Sequence, residues 1–151
     1  MSETRHIISD ITVDYDGTWY SGKDKIENAQ ILLLFKKNLF ADVNGLFIYN
    51  EFSSQSEKAY IKAKGPVLRV LKIMENKFIL DSNEKVDIAQ KELAMDTQNR
   101  LYIVIDRLKA WAVFSRQAII DMGDQLSRKE GVYYWNNRPI RLIQEIPWFF
   151  G

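Results

Sequence analysis

The chain has no cysteine, a single histidine, three prolines and seven glycines in 151 residues. Without thiols it can form neither disulfides nor thiolate metal sites, and thiol catalysis is excluded; the composition fits a reducing, cytoplasmic setting. With His6 as the only imidazole, a Ser-His-Asp triad or a histidine-rich metal site would depend on a residue in an N-terminal segment expected to be flexible. No catalytic residue, metal ligand or cofactor is therefore expected. The glycines are scattered singly, with neither a G-x-x-x-x-G-K nor a G-x-G-x-x-G pattern, so no phosphate-cradling loop is legible.

Charge of one sign is equally scarce. Twenty-one basic and twenty acidic side chains leave a net +1, so no overall field draws the molecule to nucleic acid or to an anionic membrane, and neither is expected as a partner. The longest apolar run, Ile31 to Phe35, is far short of the roughly 20 residues that cross a bilayer. The opening MSETRHIISDI carries no secretory apolar core.

What is present is ordinary for a folded chain: 46% hydrophobic and 27% charged residues, enough for one domain or two small halves sharing a core. ITVDYDGTWYSG (11–22) predicts a hairpin, with Ile11, Val13 and Tyr15 alternating before the Asp16-Gly17 turn. A helix is expected from Glu27 or Asn28 to Phe40. Its apolar arc, from Ile31 through Phe35 to Leu39 and Phe40, is wide enough to place it between two layers. Strands follow at 46–52, 58–64, 67–74, 77–80, 85–88 and 100–106, separated by Gly65-Pro66, Glu75-Asn76, Ser82-Asn83 and the polar loop 96–99, and read as a β-meander. Asp106 has the chemistry of an N-cap. Leu108, Ala112, Ser115, Ile119, Met122 and Leu126 recur at helical spacing, with Trp111 and Phe114 alongside, which predicts a second helix over 106–126.

VYYWNNRPIRLI (132–143) then predicts a second hairpin around Asn136-Asn137, a pair that tolerates the positive φ angles of a two-residue turn. Both hairpins place a tryptophan–tyrosine pair before a turn and an isoleucine after a basic residue, a short echo that suggests duplicated halves. The division expected is a strand-helix-strand half at 1–57 and a meander, helix and hairpin half at 58–151.

DGTWY at 16–20, NGLFIYN, KAYIKAKGPVLRV, KFILDSNEKVDI, LYIVIDRLKAW and GVYYW together resemble, over nearly the whole chain, the bacterial domain of unknown function family 1285. The resemblance implies two related halves, the second similar to pleckstrin-homology folds, with a groove between them that takes a small, nucleotide-like ligand in signalling. This chain departs from the family pattern at IYNEFSSQSEK, which lacks the usual proline, and at Trp135-Asn136-Asn137-Arg138-Pro139, where a Trp-Ser-x-Gly turn is usual.

Several candidate sites have plainer readings. Lys58, Lys62 and Lys64 flank Tyr60 on one strand, a mixture that suits nucleic acid but also the usual protection of a sheet edge, and the latter is favoured. Asp14 with Asp16, and Asp121 with Asp124, read as solvated acids. In the second hairpin a ring falls on each face, so at least one face is core, while Arg138 and Arg141 point to opposite sides. The fold expected is α+β, with mainly antiparallel strands and two principal helices. The function expected is non-catalytic binding of a small anionic or nucleotide-like ligand, with Trp19 and Trp135 as apolar walls, Arg138 and Arg141 as anion contacts and Arg116 beside them. An enzyme using carboxylates and arginines, or a ligand-free interaction module, are the competing classes. The terminal EIPWFFG is expected to pack into the molecule or against a second copy as a homodimer.

Overall fold

The chain enters a ten-residue strand, β1 (Thr4–Val13), and turns at Asp14 to Thr18, where Thr18 donates its amide to the Asp16 carboxylate at 3.0 Å. The expected hairpin then closes with β2 (Trp19–Ser21), Val13 opposite Trp19, and β3 (Asp24–Lys25) pairs beyond it. The computed structural model describes residues 3–143, which divide into two units: residues 3–67 with Ile105–Ala110, and residues 68–104 with 111–143. The division expected after residue 57 falls inside a strand. The expected packing of the EIPWFFG segment lies outside the described residues.

In the first unit, helix α1 (Ala29–Lys37) starts at Asn28, whose side chain accepts from the amides of Gln30 and Ile31. It ends three residues earlier than the apolar pattern predicts, because Leu39 and Phe40 belong to the next strand, β4 (Leu39–Asp42). This shortening overturns the expectation that the helix lies between two layers. No α1 residue is fully buried, and Ile31 and Leu34 remain 43% and 55% exposed, while Phe35 stacks on Trp19 at 6.4 Å. Strands β5 (Gly45–Phe52) and β6 (Gln55–Ala63) complete a six-stranded sheet in the order β3-β2-β1-β6-β5-β4. One of its faces buries Val13, Leu39, Ile48 and Ala59. The N-terminal segment is not loose as expected: His6 sits in β1 opposite Lys58, with its ring nitrogen 3.4 Å from the Tyr60 hydroxyl.

Gly65 is required by close approach. A Cβ there would lie 2.3 Å from the carbonyl oxygen of Asp14, and no side-chain motion relieves a clash with backbone. Beyond it the meander breaks, since β6 pairs with β1 in parallel and the following strand belongs to another sheet. Strand partners separated by tens of residues leave no local trace in a single sequence, and alternation alone cannot say which neighbour is chosen.

The second unit carries β7 (Leu68–Met74), β8 (Lys77–Leu80), β9 (Lys85–Asp87), β10 (Ala94–Met95) and, apart from their end residues Ile105 and Ala110, β11 (Leu101–Ile105) and β12 (Ala110–Phe114). The strands expected at 77–80, 85–88 and 100–106 match these bounds within a residue or so. The long helix expected over 106–126 is not formed. Residues 106–109 turn, with Lys109 at φ 48°, a left-handed angle no helix interior accommodates, and Ala110–Phe114 returns as a strand. AWAVF is an uninterrupted apolar run buried on both faces, and such a run fits helical spacing as readily as a central strand. The helix that exists, α2 (Arg116–Met122), starts at Ser115, whose hydroxyl accepts from the Ala118 amide, and stops at Gly123 with φ 51°.

The remaining strands are β13 (Leu126–Lys129), β14 (Val132–Trp135), β15 (Arg138–Pro139) and β16 (Arg141–Leu142). The unit holds a seven-stranded sheet, β16-β10-β11-β12-β7-β8-β9, and a three-stranded one, β13-β14-β15. The architecture is α+β and rich in antiparallel pairs, with parallel exceptions at β1–β6, β7–β12 and β10–β16. Among the described residues no helix is long and apolar enough to cross a membrane.

Candidate functional site

Asn136 and Asn137 take φ angles of 49° and 64°, the left-handed pair a tight two-residue turn needs, and they set Trp135 directly opposite Arg138. The ring of Trp135 is 2% exposed and lies 6.4 Å from that of Phe78, so this face of the hairpin is core as the alternation predicts. The chain then leaves the hairpin and adds to the large sheet. The Arg141 amide donates to the Leu93 carbonyl at 3.1 Å, and that of Ile143 to the Met95 carbonyl at 2.9 Å. Docking β16 beside β10 brings residues 91–93 against residues 138–141.

The result is a cleft of about 210 Å³ lined by Glu92, Leu93, Trp135, Arg138, Ile140 and Arg141. The Arg138 guanidinium donates to the Lys91 carbonyl at 2.8 Å, which holds the side chain in place and leaves most of its N–H groups for other partners. The guanidinium carbon of Arg141 lies 5.9 Å from the centre of the Trp111 ring, within cation–π range. The indole N–H of Trp135 is buried and has no hydrogen-bond partner among the described residues. A buried donor left unmade costs about 1–3 kcal/mol of stability, which the packing of the ring has to outweigh.

Three of the five residues picked out in the sequence thus line one cleft. The other two do not. Trp19 belongs to the first unit, where its ring is 2% exposed and its N–H donates to the Val67 carbonyl at 3.3 Å. Arg116 is exposed on the first turn of α2. Glu92 and Leu93 were missed, and no pattern marks them: they precede a two-residue strand, β10, and reach the cleft only through its pairing with β16.

A second recess of about 400 Å³ is lined in part by Asp96, Asn99, Arg128, Tyr133 and Leu142. Its buried carboxylate is fully engaged. Asp96 accepts from the amides of Gln98 and Arg100, the Arg100 guanidinium and the Tyr102 hydroxyl, all within 2.9 Å. Burial alone would push the Asp96 carboxyl up, but these bonds together hold it below the ordinary range. The same burial, with the bond to Asp96, pushes Tyr102 up, so this cluster is closed and structural. No group of three or more His, Asp or Glu side chains is placed to hold a metal ion among the described residues.

The sequence matches no protein-family model and no curated protein. Two solved structures share its architecture. A DUF1285 family protein from Silicibacter pomeroyi DSS-3 superposes with a TM-score of 0.62 at 14% identity, covering 95% of this chain and 84% of that one. A DUF1285 family protein from Shewanella baltica OS155 gives a TM-score of 0.51 at 17% identity, over 72% of this chain and 86% of that one. At such identities the likeness establishes the fold: this chain has a DUF1285-like architecture, as the resemblance of its motifs implies.

Proposed function

We propose that the second unit is a binding module that takes a small anionic compound in the cleft between residues 91–93 and 138–141. The observation that carries this reading is that Arg138 and Arg141 line one cleft together with an apolar wall of Leu93, Trp135 and Ile140. Arginine forks suit the paired oxygens of carboxylate and phosphate. The lining side chains include no hydroxyl, imidazole or amine, which favours binding over catalysis. At about 210 Å³ the cleft is smaller than the roughly 300–1,000 Å³ typical of sites for drug-sized ligands, so a nucleotide would seat only its phosphate here.

Thermal shift on the full chain with inorganic phosphate, small carboxylates and mononucleotides tests this. Binding at a hundredfold excess over the dissociation constant raises stability by about 2.7 kcal/mol. A midpoint unmoved by every such anion at millimolar concentration overturns the reading. A second reading, self-association, is favoured by one observation: Ile31 and Leu34 stand exposed on α1. Light scattering that gives the same monomeric mass for the full chain and for Leu34→Glu removes it.

A further inference from the structure

The cleft is not purely cationic. Glu92 lines it together with Arg138 and Arg141, is exposed, and makes no hydrogen bond or ion pair among the described residues. Opposite charges that share a concavity without pairing are an unusual arrangement, because surface carboxylates and guanidinium groups within reach of each other normally close on one another or are simply solvated on convex ground. Here each is held by something else. Arg138 is tied to the Lys91 carbonyl, Arg141 lies on the Trp111 ring, and Glu92 belongs to the segment joined to β16 through Leu93.

A bare anion in this cleft gains from the arginines but is opposed by the Glu92 carboxylate. A ligand with an ammonium a few ångströms from its anionic group turns that opposition into a second attraction. We propose that the ligand of this cleft is a small zwitterion of the amino-acid type, its carboxylate on Arg138 and Arg141 and its ammonium on Glu92. This rests on the anion-binding reading above and narrows it. The donor inventory agrees, since a carboxylate has lone pairs for several N–H donors and an ammonium needs an acceptor, which among the charged lining side chains only Glu92 supplies. Size agrees as well: about 210 Å³ suits a compound with a short aliphatic part, for which Leu93 and Ile140 form an apolar wall.

The test is isothermal titration calorimetry of the full chain with matched probes: glycine, L-valine, L-leucine and 4-aminobutyrate, the N-acetyl form of each, the amide of each, and the corresponding acids without nitrogen. The expected result is that at least one free zwitterion binds tenfold or more tightly than its N-acetyl and amide forms. Glu92→Gln is expected to erase the preference over the N-acetyl form while leaving the variant folded, because the residue is exposed. If acids lacking the amine bind as well as the zwitterions, or Glu92→Gln leaves the preference intact, the zwitterion is wrong and the anion-binding reading survives. If neither the zwitterions nor any simple anion binds, both fall together.

Discussion

Trp19 and Trp135 each lie at one end of a short strand in an antiparallel pair, and both residues are 2% exposed. By burial they are the same residue. They differ in one hydrogen bond: the Trp19 indole donates to the Val67 carbonyl, and that of Trp135 has no partner among the described residues. Around Trp19 the unit satisfies its own polar groups, with Phe35 stacked on the ring and β1 opposite. Around Trp135 two arginines and a carboxylate line open space. The contrast separates a tryptophan that completes a core from one that forms both a core and the wall of a cleft, and the hydrogen-bond inventory reveals it where burial does not.

Truncation should erase the contrast. Trp19→Ala and Trp135→Ala are each expected to cost about 3–5 kcal/mol by urea denaturation, since both rings are packed. A loss below 1 kcal/mol at either position would remove it from the core. The arginines should separate binding from stability. Arg138→Ala or Arg141→Ala is expected to weaken ligand binding by roughly 1.5–3 kcal/mol in calorimetry, the scale of a charge-assisted hydrogen bond, with a melting temperature close to that of the parent.

Removing only the N–H sharpens the comparison. Trp19→Phe leaves the Val67 carbonyl without its donor, whereas Trp135→Phe removes a donor that has no partner among the described residues. Trp19→Phe is therefore expected to be the more destabilising by about 1–2 kcal/mol, read from the denaturation midpoints. Equal losses would mean that the Trp135 N–H is satisfied in solution.

The smallest effect concerns acid. In the first unit Asp42 accepts from the Tyr60 hydroxyl at 2.6 Å, from Lys58 at 3.0 Å and from the Asn44 amide at 2.8 Å. Desolvation works to raise its carboxyl, but these three partners outweigh it and bring the pKa down to about 2. A carboxyl depressed in the folded state contributes stability above its unfolded pKa of about 4, and loses it as pH falls towards 2. Asp42→Asn should therefore flatten the pH dependence of the melting temperature between about pH 4 and 2 while changing its slope little above pH 5. An unchanged acid limb would show that the Tyr60 and Lys58 contacts are not held in solution.

Much of the local structure was legible because it depends on neighbours in the chain. Asn136-Asn137, Asp16-Gly17 and Ser82-Asn83 were recognisable as turns from their tolerance of positive φ or their side-chain hydrogen bonding, and β8 was read at its true ends. The second helix failed for an equally local reason. Leu108, Ala112, Ser115 and Ile119 satisfy a helical period, yet Trp111 to Phe114 is a strand buried on both sides, and a run without polar positions has no period to betray it. The first helix was drawn too long because Leu39, fully buried, and Phe40 continue its apolar pattern while serving a strand.

The candidate site divides in the same way. Trp135, Arg138 and Arg141 stood out in the sequence because a tight turn sets a ring beside cations within seven residues, and the turn chemistry is written in Asn136-Asn137. That the hairpin is core on one side followed from strand alternation alone. What only the tertiary structure decided is the parallel pairing of β10 with β16, which carries Glu92 to the arginines across more than 40 residues of chain, and the lack of a hydrogen-bond partner for the Trp135 N–H among the described residues. Turn geometry depends on the φ preferences of adjacent residues and is therefore encoded locally. Which strand pairs with which, and which buried donor is left without a partner, depends on the packing of the whole unit, and no short stretch of sequence contains it.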